Sequence, residues 1–423
     1  MYRLIFWPVL APSFLLGVAG GAMVPVLVLG ALALGASPAL AAGIVAMAGA
    51  TALAVTVPVG LFIDRVGDRR AMAIATAAAV ASILLAVVAL AAGARWSLGL
   101  FIVSAVLRAP VMMAWNLARQ AVVAETVPAT LRGRAMTALG GTMRAGTLVG
   151  PLAGAALLVR WPLWSVFVFA AVCALASLAL LSARRLNSAF DAETARSRAA
   201  RTEDELAQGV RWRAVGLAGI AVGALAVARV AQPVIVALWG VHLGWSPAEI
   251  SFLVAVGAAI ELTIMPLGGH LKDTLGRTPT LALCLAMFGS GFLLVPVWAS
   301  SPGLWVAMVV MSLGNGTGAG INMTIGADLS PARGRARFLS VWAMFTQAGL
   351  LGGPLAVSAL LTVASLPVAV TFIGGLALAG SVWTVAVAPW TRRSATSRVQ
   401  RSRWAMKAFR SGKRQPAMAS CST

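Results

Sequence analysis

The sequence predicts an all-α membrane protein of twelve transmembrane helices, and three observations carry that reading. The chain of 423 residues is 60% hydrophobic and only 11% charged, against about 25% charged in ordinary soluble domains, and its mean hydropathy is +0.90. Apolar stretches of about 20 residues, the length that crosses a bilayer, recur along the chain. The third observation is a duplication. Gly60-Leu61-Phe62-Ile63-Asp64-Arg65-Val66-Gly67-Asp68-Arg69-Arg70 returns 209 residues later as Gly269-His270-Leu271-Lys272-Asp273-Thr274-Leu275-Gly276-Arg277. Two such copies at equivalent places divide the chain into homologous halves.

The spans are placed at 7–32, 38–62, 71–93, 97–119, 136–158, 162–183, 214–241, 247–269, 279–299, 302–324, 338–362 and 366–390. The first is read as a retained helix. No charge interrupts Leu4 to Leu34, whereas a cleaved leader has an apolar core of about 7–15 residues. The stretch from Gly60 to Arg70 reads as a tight loop between spans two and three, with Gly67 free to take positive φ and Gly60 allowing close approach of the helix end. Span five carries Gly146, Gly150, Pro151 and Gly154. Glycines four apart line one face for close helix contact, and Pro151 removes a backbone donor and bends the helix. Residues 1–183 form the N-terminal half, 184–213 a cytoplasmic linker, 214–390 the C-terminal half and 391–423 a basic tail.

The net charge of +21 would suggest nucleic acid in a soluble protein; here it reads as topology. With the N-terminus cytoplasmic, only Arg95 and Arg160 face outward and only Arg108, Arg144 and Arg229 lie within spans. The remaining Lys and Arg, with Arg119 assigned to the loop after span four, fall on the cytoplasmic side, which is the orientation the positive-inside rule sets. Both termini are then cytoplasmic. Trp96, Trp161, Trp164, Trp239, Trp245, Trp298 and Trp305 fall near outer span ends as an interfacial belt. Cys173, Cys284 and Cys421 suggest neither a disulfide framework nor a metal site. No phosphate-binding Gly-x-x-x-x-Gly-Lys loop occurs. No cofactor and no enzymatic chemistry are expected.

The duplicated turn resembles the loop motif of major facilitator superfamily transporters. The repeat extends to Pro128-Ala129-Thr130-Leu131-Arg132-Gly133-Arg134-Ala135 against Pro331-Ala332-Arg333-Gly334-Arg335-Ala336, and to Gly150-Pro151-Leu152-Ala153 against Gly353-Pro354-Leu355-Ala356. The resemblance covers roughly Leu4 to Trp390. It implies two six-helix bundles related by a pseudo-twofold axis along the membrane normal, with a midplane substrate site. It also implies an inner gate: Asp64 at the start of span eleven near Phe338 and Asp273 at the start of span five near Ala135, where helix N-termini are positive. Arg65, Arg69, Arg70 and Arg277 would complete that network. The plainer reading, turn capping and topology, stays open. Span five resembles the superfamily's exporter-associated motif, with Ala155 in place of the final glycine; a kinked packing helix is the alternative.

Charges deep in spans are costly and find partners or line water. Glu261 in span eight and Arg144 in span five each lie about 12 Å from the cytoplasmic boundary at 1.5 Å per residue. Spans five and eight face each other in the superfamily, so the two are expected to meet, as a proton-responsive latch or as a static ion pair. Arg108 in span four and Arg229 in span seven form a second set, with Trp115, Asn116, Gln232, Asn315 and Asn322 on the helices that line the superfamily's cavity. Two arginines with no deep acid beside them favour an anionic or acceptor-rich substrate; local bonding to carbonyls or glutamine is the alternative. Span one has no acid and Arg108 is followed by Ala109-Pro110-Val111, both departures from exporters of cationic drugs. The expectation is a monomeric secondary transporter of the plasma (inner) membrane, an antiporter driving proton-coupled efflux of a small organic compound. Uptake symport of an organic anion or sugar, and a non-transporting sensor or scaffold, are the alternatives.

Overall fold

The computed structural model describes residues 6–126, 129–183, 212–329 and 335–389, and the side chains of 120–137, Asp64, Asp68, Arg69 and Asp273 are among those outside the described set. The linker after Ala183 and the basic tail therefore lie outside it as well. After a π-helical turn at Phe6–Leu10 come α1 (Ala11–Ala33), α2 (Pro38–Val66), α3 (Asp68–Ala92), α4 (Ser97–Thr126), α5 (Ala129–Leu158) and α6 (Trp164–Ser182). The second half follows with α7 (Trp212–His242), α8 (Pro247–Thr274), α9 (Arg277–Val297), α10 (Ser301–Thr317), α11 (Ile321–Leu329), α12 (Arg335–Val363) and α13 (Leu366–Ala386).

Among the described residues, eleven helical stretches are long and apolar enough to cross a membrane. The long helix not among them is α5, whose apolar run is diluted by Arg144 and by glycines at 140, 141, 146, 150 and 154. Helix starts follow local chemistry. Ser37 accepts a hydrogen bond from the Leu40 N–H at 3.2 Å, and Ser246 with Glu249 forms a capping box, each followed by a proline suited to the first helical turn.

The turns repeat with the sequence. Gly35 and Gly244 take φ of 86° and 77° at one end of the bundle, and Gly67 and Gly276 take 83° and 95° at the other. The expected eleven-residue loop is much shorter than that. α2 continues helical through Asp64 to Val66 and α3 begins at Asp68, leaving Gly67 as the turn, because a continuing helix keeps its backbone groups bonded. Gly60 and Gly269 also differ from expectation. A side chain at either would meet open space, so neither serves close packing.

Span ten is broken, where a continuous helix over 302–324 was expected. α10 ends at Thr317, Gly320 takes φ +71°, and α11 restarts at Ile321. Gly314, Gly316, Gly318 and Gly320 alternate through this segment, and glycine weakens a helix interior.

Packing is duplicated. In the first half α1 packs on α5 and α6, α3 on α4 and α6, and α2 on α4. In the second half α7 packs on α12 and α13, α9 on α10 and α13, and α8 on α10. Across the halves α2 meets α12 and α5 meets α8. Each pairing has its counterpart, as two pseudo-twofold-related six-span bundles require. Gly146 and Gly150 seat α5 on the α1 backbone, where an added Cβ would strike Gly17 and Val18; Gly349 and Gly353 do the same for α12 on α7. Gly154 has ordinary clearance. Of the expected tryptophan belt, Trp96, Trp161, Trp164 and Trp298 are exposed, but Trp239 is 1% exposed and belongs to the core.

Candidate functional site

The duplicated motif, expected to form an inner gate, sits at the Gly67 and Gly276 turns. Asp64 and Asp273 lie on the last turns of α2 and α8, and their side chains, like those of Arg69 and Ala135, are outside the described set. Phe338 is buried at the start of α12. Arg65 and Arg70 are exposed. Arg277 is not drawn to the opposite half: its Nε lies 2.7 Å from Asp328 Oδ2 at the end of α11, an ion pair within the second half.

Deeper in the bundle, α5 and α8 bring two charges together across the halves. Arg144 Nη1 lies 3.5 Å from Glu261 Oε2, with side chains 29% and 17% exposed. Equal depth in facing helices has become contact. Gly316 of α10 packs so closely on Glu261 that an added Cβ would stand 2.9 Å from its carbonyl oxygen. The pair is thus bound to the start of the break in span ten, and Asn315, beside it, keeps a buried Oδ1 without a partner.

The break is held by bases. Arg229 Nη2 on α7 donates to the Gly318 carbonyl at 2.9 Å, and Lys272 Nζ on α8 donates to the Ala319 carbonyl. Carbonyls freed where a helix is interrupted need such donors in a membrane. Asn322 Nδ2 donates to Thr346 Oγ1 at 2.6 Å, and Trp342 Nε1 donates to the Asn322 carbonyl at 3.0 Å. Arg229 therefore bonds locally to a carbonyl, and the structure does not bring it together with Arg108. Gln232 is buried with Nε2 3.4 Å from Met308 Sδ.

On α4, Arg108 Nη1 has Met23 Sδ of α1 at 3.8 Å, a weak acceptor. Asn116 is half-buried, and Trp115 is 1% exposed. Arg119, assigned from sequence to a cytoplasmic loop, lies inside α4 at 8% exposure with its guanidinium 5.0 Å from the Trp115 ring centroid. Helix α4 runs seven residues beyond the expected span end, which carries Arg119 into the packed interior. Arg119, Lys272, Asp328 and the break in span ten were not identified from sequence. The alternating glycines were the available signal for the last.

The family profile described as Major Facilitator Superfamily matches residues 9–230 and 217–422. No curated protein sequence matches the chain. Among solved structures, a peptide transporter POT in complex with sulfate is similar at 17% identity and TM-score 0.72, covering 93% of this chain and 95% of that one. A D-xylose-proton symporter is similar at 15% identity and TM-score 0.68, with 91% and 97% covered. The xylose transporter XylE from E. coli, in a partially occluded inward open conformation, is similar at 13% identity and TM-score 0.70, with 92% and 100% covered. At these identities the likeness is one of fold.

Proposed function

The chain belongs to the major facilitator superfamily, and on that premise we propose that it exports a small organic compound in exchange for protons by alternating access. It is a multi-pass secondary transporter and not an enzyme. The observation that carries the proton-coupled reading is the Arg144–Glu261 pair at 3.5 Å. A proton arriving at Glu261 Oε2 neutralises the carboxylate and ends its attraction for Arg144, so the α5–α8 seam loosens as the proton binds and tightens as it leaves. Partial exposure of both side chains gives water a path to them.

The Lys and Arg distribution supports a plasma (inner) membrane orientation with the Gly67 end and both termini in the cytoplasm. In that frame Asp64 and Asp273 act as the inner gate, since their helices α2 and α8 are the ones that pack against α12 and α5 of the other half. Asp64→Asn leaving transport rate and inside/outside accessibility unchanged would discard the gate.

Efflux rests on the span-five glycine and proline pattern. Uptake symport is the second reading, favoured by Arg108, a deep cation suited to an organic anion, and served equally by the latch. Counterflow in oriented proteoliposomes, with and without a pH gradient, decides direction. A ligand that binds but never crosses would favour a sensor.

A further inference from the structure

We propose that the buried face of α4 is an anion track, with Arg108 as one station and Trp115 with Arg119 as the next, so that the transported compound is an organic anion. The inference rests on the transporter reading above and names its substrate class.

At 3.6 residues per turn, Arg108, Trp115 and Arg119 fall within about 20° of one stripe along α4, and the two arginines are about 16 Å apart along the axis. The stripe offers donors. Trp115 Nε1 and both Nε and Nη1 of Arg119 are buried without a hydrogen-bond partner, and Arg108 has only the Met23 thioether. The acidic side chains described are committed elsewhere: Glu249 to Ser246, Glu261 to Arg144 and Asp328 to Arg277. Among the described residues no carboxylate serves either arginine of α4. The Trp115 ring partly compensates Arg119, since a cation over an aromatic face is attracted by the ring quadrupole. What remains is the desolvation cost of a buried charge that no described carboxylate offsets.

The other half lacks the track. At the offset of 203 that relates Pro128 to Pro331, Arg108, Trp115 and Arg119 correspond to Met311, Gly318 and Asn322. Where α4 carries donors, span ten carries its break, and Arg229 and Lys272, which reach it, donate to the Gly318 and Ala319 carbonyls. Arg108 and Arg119 are therefore no requirement of the duplicated fold. A carboxylate moving along α4 would pair first with one guanidinium and then with the next, with the indole N–H beside the second. Trp115 and Arg119 are sealed in this conformation, and an anion reaches them in the opposite phase of the cycle.

The test is calorimetric titration of the detergent-purified full chain with benzoate and, separately, with benzamidine, a cation of like shape. Benzoate should bind and benzamidine should not. Arg108→Gln and Arg119→Gln should each weaken benzoate by about tenfold or more, the equivalent of one charged hydrogen bond. Arg119→Lys should retain most of the affinity, and exposed Arg160→Gln all of it. Arg119→Met should unfold at a higher temperature than wild type without ligand and lose the upward shift that benzoate produces. Absent benzoate binding, preference for benzamidine, or benzoate affinity unchanged in both glutamine variants would overturn the proposal. No proton gradient enters this experiment, so its failure removes the anion track and leaves transport standing; loss of counterflow would do the reverse.

Discussion

The halves meet along two seams that the repeat makes equivalent, and the seams are built from different chemistry. Where α5 meets α8, Arg144 faces Glu261. Where α2 meets α12, the corresponding residues are Gln347, at the offset of 203, and Ala52, at the offset of 209. Among the described residues Gln347 Nε2 has Met113 Sδ at 3.6 Å. This second seam closes by small residues. Gly49 lies against the Leu350 carbonyl, where an added Cβ would stand 2.8 Å away, and Ser358 meets Gly43 and donates to the Ala39 carbonyl at 2.8 Å. Among the described residues, one seam is held by backbone proximity and the other by a titratable pair. A duplicated bundle can rock symmetrically, and on the proposed latch the charged seam would give that motion a chemical input.

The largest effect should come from filling the tight seam. Gly49→Val drives a branched side chain into the α12 backbone, and transport should fall by about tenfold or more with a lower unfolding temperature, since overpacking costs about 1–3 kcal/mol. Normal counterflow in that variant would break the claim that this seam is fixed by contact. At the charged seam, Arg144→Ala leaves Glu261 without its cation, and the loss should be of order 3 kcal/mol. The paired change Arg144→Gln with Glu261→Gln should recover much of that stability while leaving proton drive absent. Thermal unfolding of both variants checks this. Next comes Ser358→Ala, which removes one hydrogen bond across helices and should cost about 0.6 kcal/mol, at the edge of what thermal unfolding resolves. The smallest effect belongs to Gly60→Ala. Open space surrounds that position, and stability should hold or rise slightly because alanine is the better helix former.

The same contrast explains what was legible in the sequence. The many-span helical class, the duplicated turns and the Arg144–Glu261 meeting were readable because each follows from apolar run length, from an offset repeat or from equal depth in facing helices. The turn at Gly67 was overdrawn, because charged residues do not by themselves end a helix once it leaves hydrocarbon. Arg119 was misplaced for a related reason: a span ends where apolarity ends, whereas α4 does not. The break at Gly318 was hidden because its stabilising partners, Arg229 and Lys272, come from 89 and 47 residues away. The role of Gly146 and Gly150 was legible as close packing. Its recurrence at Gly349 and Gly353 ties the pattern to the duplicated fold in both halves as much as to span five.

The latch is tested most directly by comparing wild type with Glu261→Gln in proteoliposomes under an imposed pH gradient, alongside substrate counterflow without one. The account predicts that the variant loses gradient-driven accumulation while still exchanging substrate, because its halves rock without a proton to couple. Gradient-driven transport intact in Glu261→Gln would contradict it.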